Sequence, residues 1–320
     1  MTAPAAEPRG YDALHQRAAV GPAPAADFLD LTGPDARRFV NGYVTCDTQA
    51  LAEQRHARGF LTARDGKVRA DLDLVALADR LRLRLPAGAG AATREHLGKY
   101  LLADRVELEL RADLARLRLT GPAAPRVLGA LGLEPPPPGA VRPGAAAGEE
   151  ILLLGVERGR LPRFEFWATA GALAGLETAL VEAGAERASA AAFETLRVEE
   201  GELAFGVDFG PENFPQESGD EAAVSYTKGC YLGQEVVARL RWRGQAQRLP
   251  FGLRVPEALP APGTVVLHDG RPAGRATSVA RSPRCGAIGL ALLHRRVGEP
   301  PARLELEGGS VAELAPLPFL

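Results

Sequence analysis

The chain has 320 residues, 46% hydrophobic and 24% charged, the balance of a globular protein with enough core material for two or three packed units. Thirty-eight basic residues against forty acidic ones leave a formal charge of -2, so no global basic field draws nucleic acid and any such contact must be local. Three cysteines without a CxxC pair and five scattered histidines support neither a disulfide framework nor a metal site built by the chain itself.

The N-terminal segment MTAPAAEPRGYDALHQ lacks a basic region followed by an apolar one, and no apolar run nears the ~18 residues of a membrane span. The expectation is a soluble, cytoplasmic protein with no membrane partner. LTGPDARRFVNGYV reads as a helix, with Thr32 or Gly33 as cap, Pro34 in the first turn and Phe39, Val40, Tyr43 and Val44 at helical spacing. Period-two alternation then predicts half-buried antiparallel strands around Leu72 and Leu74, around Leu81, Leu83 and Leu85, and around Val106, Leu108 and Leu110. Between the last two, residues 91–102 carry Leu97, Leu101 and Leu102 at helical intervals.

EPPPPGAVRPGAAAG, residues 134–148, reads as a surface excursion that forms neither ladder nor helix and divides two subdomains. Beyond it, ILLLGVE and RFEFWAT pair as strands. GALAGLETALVEAGA is a helix ending near Gly184, and a second helix runs from about Ser189 to Gly201. From about Leu249 onward, short apolar runs alternate with glycine and proline, the pattern of a small all-β barrel or sandwich. The organisation expected is α+β over residues 1–245, in two subdomains, and a β-domain over 246–320.

The segment KGCYLGQE, residues 228–235, concentrates polar and small residues around Cys230. Gly229 and Gly233 permit a bend that displays the thiol. Lys228, and a helix beginning at QEVVAR, would both favour the thiolate. A buried, inert cysteine is the competing reading. Downstream, Arg239, Arg241 and Arg243 alternate with Leu240 and Trp242, which as a strand puts three guanidiniums on one face and Trp242 in the core. Such a row suits a polyanion such as a polyglutamate tail or a phosphate backbone, or is simply solvated. Glu199 and Glu200 stand near a helix end where the dipole disfavours negative charge, so either a ligand holds them there or they are exposed.

KGCYLGQE is similar to the K-G-C-[FY]-x-G-Q-E motif of YgfZ-type proteins, folate-binding factors for iron-sulfur enzymes and relatives of the glycine-cleavage T-protein (aminomethyltransferase). LTGPDARRFVNGYVTCD, DGKVRADL, LRVEEGELAFGVD, the P-x-E of Pro215–Glu217 and ATSVARSPRCGAIGLALL extend the resemblance along nearly the whole chain. It implies a cloverleaf of two intertwined ferredoxin-like α+β subdomains and a C-terminal β-barrel around a central channel for tetrahydrofolate or a derivative. Arg197–Gly201 matches the family's R-L-E-x-G segment, which implies that Glu199 holds the pteridine ring. Phe193 would add an aromatic wall, with Gln234 and Arg239 as further candidate folate contacts and Cys230 and Lys228 as the chemical pair.

The T-protein's N-A-G-x-x-x-K-D-like segment, whose aspartate orients folate for methylene transfer, corresponds in this resemblance to residues 86–93, where no acid stands; Glu95 is the nearest substitute. A missing acid or base costs roughly 10²- to 10⁴-fold in proton transfer. The leading expectation is therefore a folate-binding factor for assembly or repair of iron-sulfur clusters, with client enzymes or assembly proteins as partners. A folate-dependent one-carbon transferase is the second reading. An RNA-associated factor, connected with tRNA modification and using Arg239, Arg241 and Arg243, is the third.

Overall fold

Two sheets share the chain from its first turns. The computed structural model describes residues 7–146, 148–256 and 259–320. Helix α1 (Tyr11–Gln16) leads into β1 (Ala19–Pro22), and β2 (Ala26–Thr32) follows in a different sheet. α2 (Ala36–Asn41), β3 (Arg55–Thr62), β4 (Val68–Ala76), β5 (Arg80–Pro86), α3 (Gly90–Gly98) and β6 (Glu107–Leu110) complete that sheet, in the order β3-β4-β5-β2-β6. β7 (Leu114–Thr120) then returns to lie beside β1. α4 (Ala124–Ala130), β8 (Val141–Ala146), β9 (Glu149–Gly155), β10 (Arg163–Thr169), α5 (Ala170–Glu182) and β11 (Glu186–Arg187) finish the second sheet, in the order β11-β1-β7-β10-β9-β8. The exchange of β1 and β2 is what intertwines the two halves.

α6 (Ala190–Glu199) and α7 (Gln234–Trp242) precede β12 (Arg248–Arg254), β13 (Val265–His268), β14 (Arg271–Ser282), β15 (Gly286–His294), β16 (Ala302–Leu306) and β17 (Val311–Ala315). These last six strands close into a barrel ordered β12-β15-β14-β13-β16-β17. Among the described residues no helix is long and apolar enough to cross a membrane.

Each sheet packs one face on helices. Leu81, Leu83 and Leu85 of β5 join Phe39 and Val40 of α2 and Leu97 of α3. Phe164 and Phe166 of β10 join Val127 and Leu128 of α4 and Leu173 and Leu180 of α5. The opposite faces meet each other through Phe28, Val75, Leu152, Leu154 and Trp167. The barrel keeps its own interior around Leu253, Val266, Leu293 and Leu304. Its outer residues Ile288, Leu290 and Leu292 rest on Phe60, Val68 and Val198.

Four expectations are corrected. β5 is antiparallel but buried on both faces, because its arginines enter the layer between the sheets. Arg82, wholly buried, donates from Nε and Nη2 to Asp30, each at 2.7 Å, and from Nη1 to Glu150 at 2.8 Å. Asp30 is its direct cross-strand partner. Second, part of the proline-rich excursion is a strand: β8 pairs with β9 although it contains Pro143. β8 is the sheet edge, where a missing N–H costs no ladder bond; residue 147 of the excursion lies outside the described residues. Third, Arg239 and Arg241 lie on helix α7, with Arg243 at its C-cap, so they do not form one strand face. Fourth, Trp242 is 71% exposed rather than core. A smaller difference concerns α2, whose N-cap is Asp35, with Thr32 ending β2.

Candidate functional site

The polar faces of β4, β5, β7 and β10 and one face of α6 enclose a cavity of about 620 Å³. β4 contributes Asp71 and Asp73, β5 Arg84, β7 Arg116 and Arg118, and β10 Glu165 and Trp167; Arg58 and Arg158 complete the charged wall. α6 contributes Phe193, Leu196 and Arg197, and residues 202–207 form a flap of Glu202, Leu203, Ala204, Phe205, Gly206 and Val207. Among the described residues no barrel residue reaches the lining; the barrel holds α6 from behind, with Ser278 accepting a 2.5 Å hydrogen bond from Arg197.

Most carboxylates in the wall are already committed. Arg84 binds Asp73 through Nε at 2.8 Å and reaches Asp71 at 3.5 Å. Burial opposes ionisation of Asp73, yet Arg84 and Arg58 outweigh it and hold its carboxyl well below the usual range. Arg116 and the indole of Trp167 both donate to Glu165, and Arg163 donates to Glu202 at 2.7 Å. Arg118 differs. Its Nε and Nη2 donate to the carbonyl of Pro22 at 3.1 and 2.7 Å, its guanidinium sits 4.0 Å over the Phe193 ring centroid, and among the described residues no carboxylate lies within ion-pair range. Burial pushes it down to about 10, which still leaves it charged at neutral pH. Such a wall accepts a flat ring system with an anionic extension.

Phe193 is thus the sequence-nominated residue that the cavity contains. Glu199 lies about one and two-thirds turns further along α6, fully buried and outside the lining. Tyr11 donates to its Oε1 at 2.5 Å, Ser282 donates to the same oxygen, and His15 Nε2 lies 3.1 Å from Oε2. Burial alone would raise the Glu199 pKa; hydrogen bonds from His15, Ser282 and Tyr11 outweigh it and hold it below the usual carboxylate range. In this structure Glu199 therefore fastens α1, α6 and β14 together. Glu200 is paired with Arg163 and accepts from the Arg160 amide. Residues 86–89 do line the cavity, without an acid. Glu95 does not replace one: it is 72% exposed and bound to Lys99 at 2.8 Å.

The KGCYLGQE segment forms a separate feature. Lys228 donates from Nζ to the carbonyls of Asn41, Val44 and Cys46, at 2.7, 2.7 and 2.8 Å, so all three ammonium protons are occupied at the C-terminal end of α2. Burial pushes it down to about 8. It is an anchor, and the expected chemical partnership with Cys230 is corrected accordingly. Gly233 caps α7 at φ +83°, where a Cβ would meet the carbonyl oxygen of Ala63 at 2.3 Å. Thr62 donates to the Leu232 carbonyl at 2.5 Å and Leu232 N–H to Gly42 at 2.9 Å. Gly229 has open space around it and imposes no such demand. Cys230 is exposed ahead of the α7 N-terminus and is not part of the cavity lining. Gln234 and Arg239 are not part of it either: Gln234 opens α7 and Arg239 is exposed.

Cys46 is buried, with its thiol pushed up to about 12 by burial. Cys285 borders another groove, of about 690 Å³, on the barrel. The residues that sequence reasoning missed are the facing charges Arg58, Asp71, Asp73, Arg84, Arg116, Arg118 and Arg158. Their signal is charge complementarity among alternating strands (DLDL, LRLRL, LARLRL), which pairs Asp73 with Arg84 across neighbouring strands of one sheet and walls a cavity only when the two sheets are placed face to face.

Comparison with known proteins matches residues 9–228 to the family described as GCVT N-terminal domain. The protein named tRNA-modifying protein YgfZ of Edwardsiella ictaluri is 28% identical over 299 residues, covering 91% of this chain and 89% of that one. The Aminomethyltransferase of Thermus thermophilus is 31% identical over 301 residues, covering 92% and 84%. The crystal structure of glycine cleavage system aminomethyltransferase T from Bartonella henselae superposes with a TM-score of 0.87 over 98% of this chain and 89% of that one, at 21% identity, which establishes a shared fold. With its closed C-terminal barrel, its two intertwined sheets and a family match over most of its length, the chain belongs to the GCVT family, whose members include YgfZ-named proteins and aminomethyltransferases.

Proposed function

We propose that this protein is a folate-binding accessory factor for assembly or repair of iron-sulfur clusters in client enzymes. The observation that carries the binding half is the stacking of Arg118, which among the described residues has no carboxylate partner, on the Phe193 ring of the cavity wall. A reduced folate matches that wall in kind: a flat pterin and aminobenzoyl body for Phe193 and Trp167, and a glutamyl carboxylate for Arg118 and Arg158. Bound there, it supplies a carrier of one-carbon units. The chain's own residues bind and orient it, while arginines hold the carboxylates of Asp73, Glu165 and Glu202.

Cys230 supports the second half. Its sulfur is exposed, and thiolate is the ligand that iron-sulfur centres take. In this reading Lys228 positions the loop that presents the thiol. Tetrahydrofolate titration by calorimetry tests the cavity: Arg118→Met and Phe193→Ala each weaken binding by about tenfold or more, in line with a lost charge-assisted contact or aromatic wall. Wild-type affinity in both variants would overturn the assignment. For the thiol, Cys230→Ala abolishes complementation of an iron-sulfur-enzyme defect while folate affinity stays unchanged; full complementation would exclude the role.

Aminomethyl transfer is the second reading, favoured by the 31% identical aminomethyltransferase. It requires turnover of an aminomethyl donor with tetrahydrofolate, and the absence of an acid at residues 86–89 weighs against it.

A further inference from the structure

We propose that the C-terminal end of α7 is a docking surface for single-stranded nucleic acid, with Trp242 as a stacking platform and Arg239, Arg243 and Arg248 as phosphate contacts. The indole is 71% exposed in a chain whose other tryptophan, Trp167, is 1% exposed. It is nevertheless held in place. The Tyr226 ring meets it edge to face at a centroid distance of 6.2 Å, and the Arg241 guanidinium lies 5.5 and 5.8 Å from the two ring centroids. Glu221 fixes Arg241 from the other side at 3.1 Å. A positioned planar group left open to solvent is the arrangement that stacks a base.

The surrounding charges point to the same ligand. Arg239, Arg243 and Arg248 are exposed, and among the described residues none has a carboxylate within ion-pair range. The link after Trp242, Arg-Gly-Gln-Ala-Gln-Arg, is exposed at every position except Ala246. An indole that anchors a protein partner usually sits at the centre of a desolvated apolar patch; here the chain around it is guanidinium and amide. Favourable interaction of arginines with the helix dipole explains cations at a C-terminus. It does not explain an exposed, braced tryptophan beside them. Local basic contact is also compatible with a chain of net charge -2. The surface is independent of the folate reading, since none of these residues lines the cavity.

The test uses the full chain and twelve-nucleotide oligouridylate and oligodeoxyuridylate. Stacking quenches Trp242 emission saturably, while buried Trp167 supplies a constant background. With fluorescein-labelled oligonucleotide followed by anisotropy, Trp242→Ala raises Kd about 5- to 100-fold and Trp242→Phe largely restores it. Arg239→Gln and Arg243→Gln each reduce the slope of log K against log salt by about 0.7. Binding of both oligonucleotides supports the surface, and preference for either supports it while identifying the sugar that is read. Unchanged Kd in Trp242→Ala, a salt-independent Kd, equal binding of polyglutamate, or a dimer that buries Trp242 without nucleic acid would each overturn it.

Discussion

Lys228 and Cys230 are two residues apart and face opposite ways: the ammonium is buried on the carbonyls of Asn41, Val44 and Cys46, while the thiol is exposed. Substitution should therefore separate them. Lys228→Met leaves three carbonyls without donors and lowers stability by about 2–4 kcal/mol. Cys230→Ala changes stability by less than about 0.5 kcal/mol, as surface substitutions do. Urea unfolding of both variants checks this, and equal midpoints would refute the anchoring role.

Glu199→Ala distinguishes a fastener from a ligand contact. Loss of the Tyr11, His15 and Ser282 interactions should reduce stability by about 2–4 kcal/mol. Well below the melting temperature, tetrahydrofolate affinity should stay within about threefold of wild type, whereas Arg118→Met loses about tenfold. Abolished binding in a folded Glu199→Ala protein would restore the pteridine role implied by the R-L-E-x-G resemblance.

Arg82 is wholly buried between Asp30 and Glu150, whereas Asp30 also has Arg80 at 3.5 Å and Arg111 at 3.3 Å. Asp30→Leu, which takes the Nε and Nη2 partner from the buried guanidinium, should destabilise by about 3–5 kcal/mol, and adding Arg82→Met should recover more than half of that. Chemical denaturation of the two single variants and the double variant measures the coupling; simple additivity would contradict it.

Acid should weaken the layer between the sheets. Burial raises the carboxyls of Asp73 and Glu165, but Arg84 and Arg58 for the first and Arg116 for the second bring both below their ordinary values. A carboxylate with a depressed folded pKa contributes stability above its unfolded value, near pH 4 for these groups, and loses it as pH falls toward the folded value. Thermal melts should be nearly flat in this contribution above about pH 5 and fall below about pH 4. In Asp73→Asn/Glu165→Gln the acid limb should be shallower; an unchanged limb would place the sensitivity elsewhere.

Much of the architecture was legible in the sequence. Leu81, Leu83 and Leu85 at period two, the Ser189 cap and the glycine-punctuated strands after Leu249 each specify a local conformation through backbone preference and one apolar face. The motif around Cys230 was legible too, since Gly233 is required by the closeness of Ala63. The LRWR stretch was misread because its alternation of arginine and apolar residues mimics a strand, whereas i→i+4 bonding and a glycine cap wind it into α7.

Local pattern determined which residues alternate, which turns bend and which cysteine stands among small polar neighbours. Only the tertiary structure decided which charges share the cavity, that Glu199 is a buried fastener, and that Lys228 is an anchor. The physical reason is range: dihedral preference and periodicity act over a few residues, whereas ion pairing and burial depend on surfaces brought together from distant parts of the chain.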